Sequence, residues 1–181
     1  LVLGLVAAFI VETFDTSLGA IEDVEETLGT QVVGVIPYAD PKDIYESLGE
    51  RESEKARESP FLQTAHLVSH FSPNSMIAGS FRALRTNIQF KDAQRNVKTL
   101  AITSASPQEG KTLVSVNLAI TMAQAGMKTL LVGSDMRKPM VSRVFGVEMA
   151  PGLTDILMGN HPWRDTVKTI TDIIMGKMAL D

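Results

Sequence analysis

Apolar residues recur along the chain with two different periods, and the change of period marks out the elements. Ile21, Val24 and Leu28 stand three and four residues apart, so they line one side of a helix that Thr16 and Ser17 can cap and Gly29 can end. Gln31 to Pro37 follows as a short valine-rich run and predicts a strand. This helix and strand are too few residues to fold alone and need a neighbour to pack on. Asp40 to Pro60 then carries seven acidic and four basic residues with few apolar ones, which predicts a solvated linker or an exposed helix.

From Asn74 the helical period returns. Met76 to Phe90 places Phe81, Leu84 and Ile88 on one face and Arg82, Arg85 and Gln89 on another. Val97 to Thr103 and Lys128 to Gly133 are apolar runs short enough for buried strands. Between them Lys111 to Ala125 puts Leu113, Val116, Ile120 and Ala123 on one helical stripe. Strand, helix and strand in that order form a βαβ unit, whose right-handed crossover makes the two strands parallel. Gly152 to Met158 and Trp163 to Lys177 predict two further helices. Trp163 and the nine methionines are assigned to filling the core.

The start of the chain has a different character. Leu1 to Val11 is uncharged and almost wholly apolar. Eleven residues at about 1.5 Å each cover only about half of a roughly 30 Å hydrocarbon layer, so the run is expected to be the last part of a transmembrane helix or else a buried core helix. No basic region precedes it and no cleavage pattern follows, as a secretory signal would require.

Composition narrows the chemistry. The absence of cysteine removes a disulfide scaffold, a thiolate metal site and a cysteine nucleophile. A net charge of -4 argues against nucleic acid as a partner, because phosphate neutralisation needs a basic surface. His66, His70 and His161 lack metal-ligand spacing with a carboxylate. Tyr38 and Tyr45 read as packing or surface residues rather than phosphoacceptors.

Candidate chemistry concentrates between the first βαβ strand and its helix, at Ser104 to Thr112. Ala105, Gly110, Lys111 and Thr112 fall on the phosphate-loop spacing G-x-x-x-x-G-K-[ST], with alanine in place of the first glycine. Residues Ser106, Pro107, Gln108, Glu109 and Gly110 would supply a loop of backbone N–H groups to phosphate oxygens. Lys111 would neutralise charge on the β- and γ-phosphates, and the Thr112 hydroxyl would ligate Mg²⁺. The competing reading is a polar turn. Asp135, at the end of the second strand, is a candidate to hold metal-bound water or take a proton, with a turn cap as its alternative. Arg137 faces phosphate or solvent on the same reasoning.

At these residues the sequence resembles the bacterial tyrosine kinases (BY-kinases) of capsule and exopolysaccharide export, the kinase half of polysaccharide co-polymerases. Phe81 to Asn87 resembles the family's helix before the first strand, Ser104 to Thr112 its Walker A loop, and Leu131 to Pro139 its Walker A′ strand ending. The resemblance implies an α/β P-loop NTPase fold of the MinD/ParA type, a parallel sheet flanked by helices. It divides the chain into the end of a transmembrane helix at 1–13, a chain-length-determinant juxtamembrane segment at 14–39, a linker at 40–73 and the N-terminal part of the kinase domain at 74–181. It further implies ATP and Mg²⁺ as cofactors, with Lys111 and Asp135 catalytic and Thr112 and Asp135 on the metal. The activity implied is tyrosine autophosphorylation at the cytoplasmic face of the plasma membrane, regulating polysaccharide polymerisation and export.

Three departures accompany the resemblance. The family's Walker A′ carries D-x-D, whereas here Gly133 takes the first position and Asp135 the second. Its oligomerisation motif E-x-x-R-x-x-R has Gly79 in place of the glutamate, with Arg82 and Arg85 kept, which weakens the implied homo-oligomer contact. The Walker B aspartate and tyrosine-rich tail are expected beyond Asp181, leaving this stretch inactive by itself. Two other readings stand: a non-catalytic nucleotide-binding regulator of chain length, and a MinD/ParA-like ATPase switch. The second is disfavoured by the lack of a signature lysine in Ser104 to Glu109.

Overall fold

The computed structural model describes residue 4 and residues 21–38, 66–92 and 97–169. The expectations for the apolar start apart from Gly4, for the charged stretch 40–60, for Tyr45 and for residues 170–177 lie outside the described residues. The chain divides into two compact units, Leu1–Val35 and Ile36–Asp181.

In the first unit, α1 spans Ile21–Leu28 with Glu22 and Asp23 in its first turn, where negative charge suits the helix dipole. The Glu25 carboxylate accepts the Val32 N–H at 2.7 Å and folds the following segment back toward the helix. Residues 31–37, expected as a strand, have no assigned strand.

The second unit is built on helix packing. It contains α2 (Val68–Phe71), α3 (Met76–Asp92), α4 (Lys111–Gln124), α5 (Met140–Phe145), α6 (Leu153–Leu157) and α7 (Trp163–Thr166). Helix α4 is the centre, with α2, α3 and α5 packed against it. Its six consecutive residues Val116 to Thr121 are all buried, so the expected single stripe is instead a helix enclosed on most sides. Leu67, Val116, Ile120, Val144 and Phe145 form the core cluster, and Phe71, Leu131, Val141 and Val147 pack on it.

Two expectations bear on what the helices rest on. The linker expected over 40–73 does not extend to its end, because Leu67 and Val68 are buried in the helical core. The reason is the Asn117 amide. Its Nδ2 donates to the His66 and Leu113 carbonyls at 2.6 and 2.8 Å, and its Oδ1 accepts the Ser69 N–H at 2.8 Å. Gln124 adds a bond to the Ser69 carbonyl at 3.1 Å. The second concerns the parallel sheet, which is not confirmed, since no strand is assigned among the described residues. Residues 97–103 and 128–133 are non-helical, and in the second run only Leu131 is shielded from solvent. Leu131 packs on the core while Leu130 and Val132 are 64% and 53% exposed. A strand also requires a hydrogen-bonded neighbouring strand, which neither run is given among the described residues.

Smaller differences have local causes. The helix expected over Trp163 to Lys177 stops at Thr166, where Val167 takes the extended conformation at the head of a segment rich in β-branched residues. Helix α5, unanticipated, is bracketed by Pro139 at its N-cap and Gly146 in the left-handed conformation at its end. Trp163 is not in the core. It is half-exposed under the Arg164 guanidinium, 4.9 Å from the ring centroid. Met76, Met136, Met149 and Met158 are likewise exposed, so methionine is not reserved for core filling here.

Candidate functional site

The loop from Ser104 to Gly110 turns tightly because two of its residues are left-handed. Gln108 has φ 65° and Gly110 has φ 84°. Nothing lies within 4 Å of where a Cβ on Gly110 would stand, so the glycine is required by conformation rather than by space. Immediately afterwards α4 begins. The first intrahelical bond is Val114 N–H to the Gly110 carbonyl at 2.9 Å, so the helix supplies no partner to the N–H groups of Lys111, Thr112 and Leu113.

Ser106 is the node of the loop. Its carbonyl accepts Lys111 Nζ at 2.9 Å and Ser104 Oγ at 2.8 Å, while its N–H donates to Glu109 Oε2 at 2.9 Å. Lys111 Nζ also donates to Ser104 Oγ at 2.5 Å. The lysine thus folds back over the loop. The Ser106 N–H, and after it the Ser104 hydroxyl, hold the Glu109 carboxyl below its ordinary value against the opposing effect of desolvation, with the Lys111 charge and the Ala105 N–H adding less. Thr112 is half-buried at the helix start, and Pro107 lies exposed on the loop's outer turn.

Asp135 sits apart from this network. Its Oδ1 accepts the N–H groups of Arg137 and Lys138 at 3.1 and 2.9 Å, closing an exposed turn. The structure therefore gives Asp135 the turn-capping role weighed as its alternative, with its second oxygen outside the turn. Among the described residues no hydrogen bond joins Asp135 or Arg137 to the Ser104–Thr112 loop. Gly133, where a first acid would stand, lies against α5, with Val141 Cβ only 3.2 Å from the position of an added Cβ.

The two arginines expected at an oligomer contact are engaged within the chain. Arg85 Nη1 donates to the Thr121 carbonyl at 2.9 Å, placing a cation at the C-terminal turn of α4. Arg85 lies four residues after the buried Phe81 and so shares its face, a spacing that assigning all arginines to the opposite face overlooked. Arg82 remains exposed and donates to the Pro73 carbonyl at 2.6 Å. Ser104 is not among the expected site residues, although it is the first residue of the loop and receives the lysine. Its position directly after an apolar run was the available signal.

Comparison with known proteins follows the same chain path. The BceF tyrosine kinase domain superposes with a TM-score of 0.65 at 25% identity, covering 83% of this chain and 57% of that one. The chimerical protein CapA2B2 gives a TM-score of 0.58 at 30% identity over 81% of this chain and 53% of that one. In sequence, the EpsB protein of Ralstonia solanacearum, itself described only as a candidate tyrosine-protein kinase, is 32% identical over 169 residues, 92% of this chain and 21% of EpsB. The relatives it matches by sequence and by fold are bacterial tyrosine-protein kinases. Among members of this kinase group, YwqD of Bacillus subtilis is 41% identical over 57% of the chain and 44% of its own length. CpsD of Streptococcus agalactiae is 44% identical over 48% of the chain and 38% of its own length. The chain spans less than half the length of these curated tyrosine kinases. No protein-family model matches it.

Proposed function

We propose that this chain binds ATP with Mg²⁺ at the Ser104–Thr112 loop and forms part of a protein-tyrosine autokinase. In this reading the kinase acts at the cytoplasmic face of the plasma membrane to regulate capsule or exopolysaccharide polymerisation and export. The observation that carries it is a lysine cation folded back over a loop with two left-handed residues, next to three N–H groups that the helix leaves without partners. That donor set fits phosphate: the N–H groups and the helix dipole favour an anion, and Lys111 supplies a full positive charge. Bound Mg²⁺·ATP would supply a γ-phosphoryl group for a tyrosine hydroxyl, a reaction that proteins support mainly by positioning and charge stabilisation. Lys111 would release Ser104 and the Ser106 carbonyl to pair with phosphate oxygens. Thr112 would offer its hydroxyl to the metal, and Asp135, fixed by its turn, would present its free oxygen to metal-bound water or to the acceptor. Arg137 would face the phosphates from the same turn.

One observation favours a second reading, a nucleotide-binding regulator without efficient phosphoryl transfer. Gly133 is pressed against Val141, so the position of a first carboxylate is both empty of acid and short of room. Calorimetry with Mg²⁺·ATP on the chain and on its Lys111→Ala variant tests the binding step, and phosphotyrosine detection in the full-length protein separates the two readings. Lys111-dependent binding with phosphotyrosine supports the kinase. Binding without phosphotyrosine supports the regulator, and binding that does not depend on Lys111 removes the loop from the proposal.

A further inference from the structure

The loop already holds an anion of its own. Glu109 places Oε2 2.9 Å from the Ser106 N–H, a donor on the loop that a phosphate would use. The carboxylate also lies close enough to the Ser104 hydroxyl and the Lys111 cation to feel both. Lys111 in turn is spent on Ser104 Oγ and on the carbonyl of Ser106. The two halves of the peptide network around Ser106 are therefore closed together: its N–H by Glu109 and its carbonyl by Lys111. A carboxylate presents oxygens and negative charge to these donors much as a phosphate does, and both cannot use the Ser106 N–H at once. Their like charges also repel at this distance. Glu109 is fully exposed, so swinging outward leaves it hydrated and uncovers no buried charge.

We propose that the Glu109 carboxylate is an internal competitor for phosphate, occupying the Ser106 N–H in the closed loop and having to swing away before a nucleotide's phosphates seat. This rests on the reading of Ser104 to Thr112 as a nucleotide loop. It adds that affinity is set partly by displacement of Glu109, and that Glu109, although within the loop, opposes binding. The side chain's length matters as well as its charge. An aspartate at 109 is one methylene shorter and falls short of the Ser106 N–H, while glutamine keeps the length and loses the charge.

The test is calorimetric titration of the chain and its Glu109→Gln, Glu109→Asp and Lys111→Ala variants with Mg²⁺·ATP, and with inorganic pyrophosphate as a probe lacking base and sugar. Thermal unfolding of each variant establishes that it is folded. The expected result is that Glu109→Gln and Glu109→Asp both bind Mg²⁺·ATP about three- to tenfold more tightly than the parent, the size expected for exposed charge-assisted contacts. The same direction is expected for pyrophosphate. Equal or weaker binding by Glu109→Gln overturns the competitor role, as does a gain with ATP that is absent with pyrophosphate, since it would place the effect away from the phosphates. If Glu109→Asp behaves like the parent, the Ser106 contact is not the competing one and the proposal fails on geometry. Failure of the nucleotide reading is distinct: none of the four proteins then binds either probe in a Lys111-dependent way.

Discussion

A Cβ added to Gly133 would stand 3.2 Å from the Cβ of Val141 and 3.3 Å from its Cγ2, so the end of the second apolar run and helix α5 meet at a contact that only glycine makes without movement. Gly133→Ala is expected to destabilise the chain by about 1–2 kcal/mol, the usual range for overpacking a close contact. Val141→Ala in the same chain removes the Cγ2 contact at 3.3 Å but keeps the Cβ at 3.2 Å, so the double variant is expected to lose somewhat less than the sum of the two single losses. Urea unfolding of the four species measures this, and full additivity would show that the two residues do not share the contact.

Asn117 is the second point of sensitivity. It is completely buried and makes three hydrogen bonds, two of which reach the segment before α3. Asn117→Ala leaves the Ser69 N–H and the His66 carbonyl without this partner and is expected to cost about 2–4 kcal/mol. Hydrogen exchange at residues 67–71 is expected to speed up well before exchange in α3. Equal protection in both regions would contradict the tie.

Gly79 behaves in the opposite way. It lies inside α3, and a Cβ there would meet only the end of the Arg82 side chain at 3.8 Å, an ordinary contact. Gly79→Ala is expected to raise stability by about 0.5–1 kcal/mol through the loss of unfolded-state freedom and the gain in helix propensity. A fall in the unfolding midpoint would mean that something packs on this position in solution.

Glu109 makes a prediction about pH. Because its folded pKa lies below the unfolded value, the unfolded chain binds more protons in the window between the two, and stability rises with pH across it. The contribution is present above the unfolded pKa and disappears as pH falls through the folded one. Since the side chain is fully exposed, the sensitive readout is its own titration, followed by carboxyl carbon resonances. The midpoint is expected below the ordinary glutamate value in the parent and closer to it in Ser104→Ala.

The helices and the loop were legible from the sequence because each depends on a local signal. Spacing of three and four set out α3 and α4 within two residues of their observed ends, and Gly110, Lys111 and Thr112 marked the loop in register. What escaped depends on partners distant in the chain. Asn117 occupies a central helix position that reads as a polar interruption, and its partners are 48 and 51 residues away. Arg85 looked like a surface cation because its target, the Thr121 carbonyl, belongs to another helix. The runs 97–103 and 128–133 carry strand composition, yet composition records only a preference for extended backbone, and pairing is decided elsewhere. Asp135 shows a limit of another kind, since capping a turn and serving phosphate chemistry call for the same residue at the same place.

Asn117 also joins the entry of the core to the helix that carries the loop. It lies six residues after Lys111 on the same rigid helix, about 9 Å along the axis at 1.5 Å per residue. It grips the backbone at His66 and Ser69, where the preceding polypeptide enters the core. The segment entering at His66 is therefore tied directly to the helix whose first residue is Lys111, with the loop at its tip.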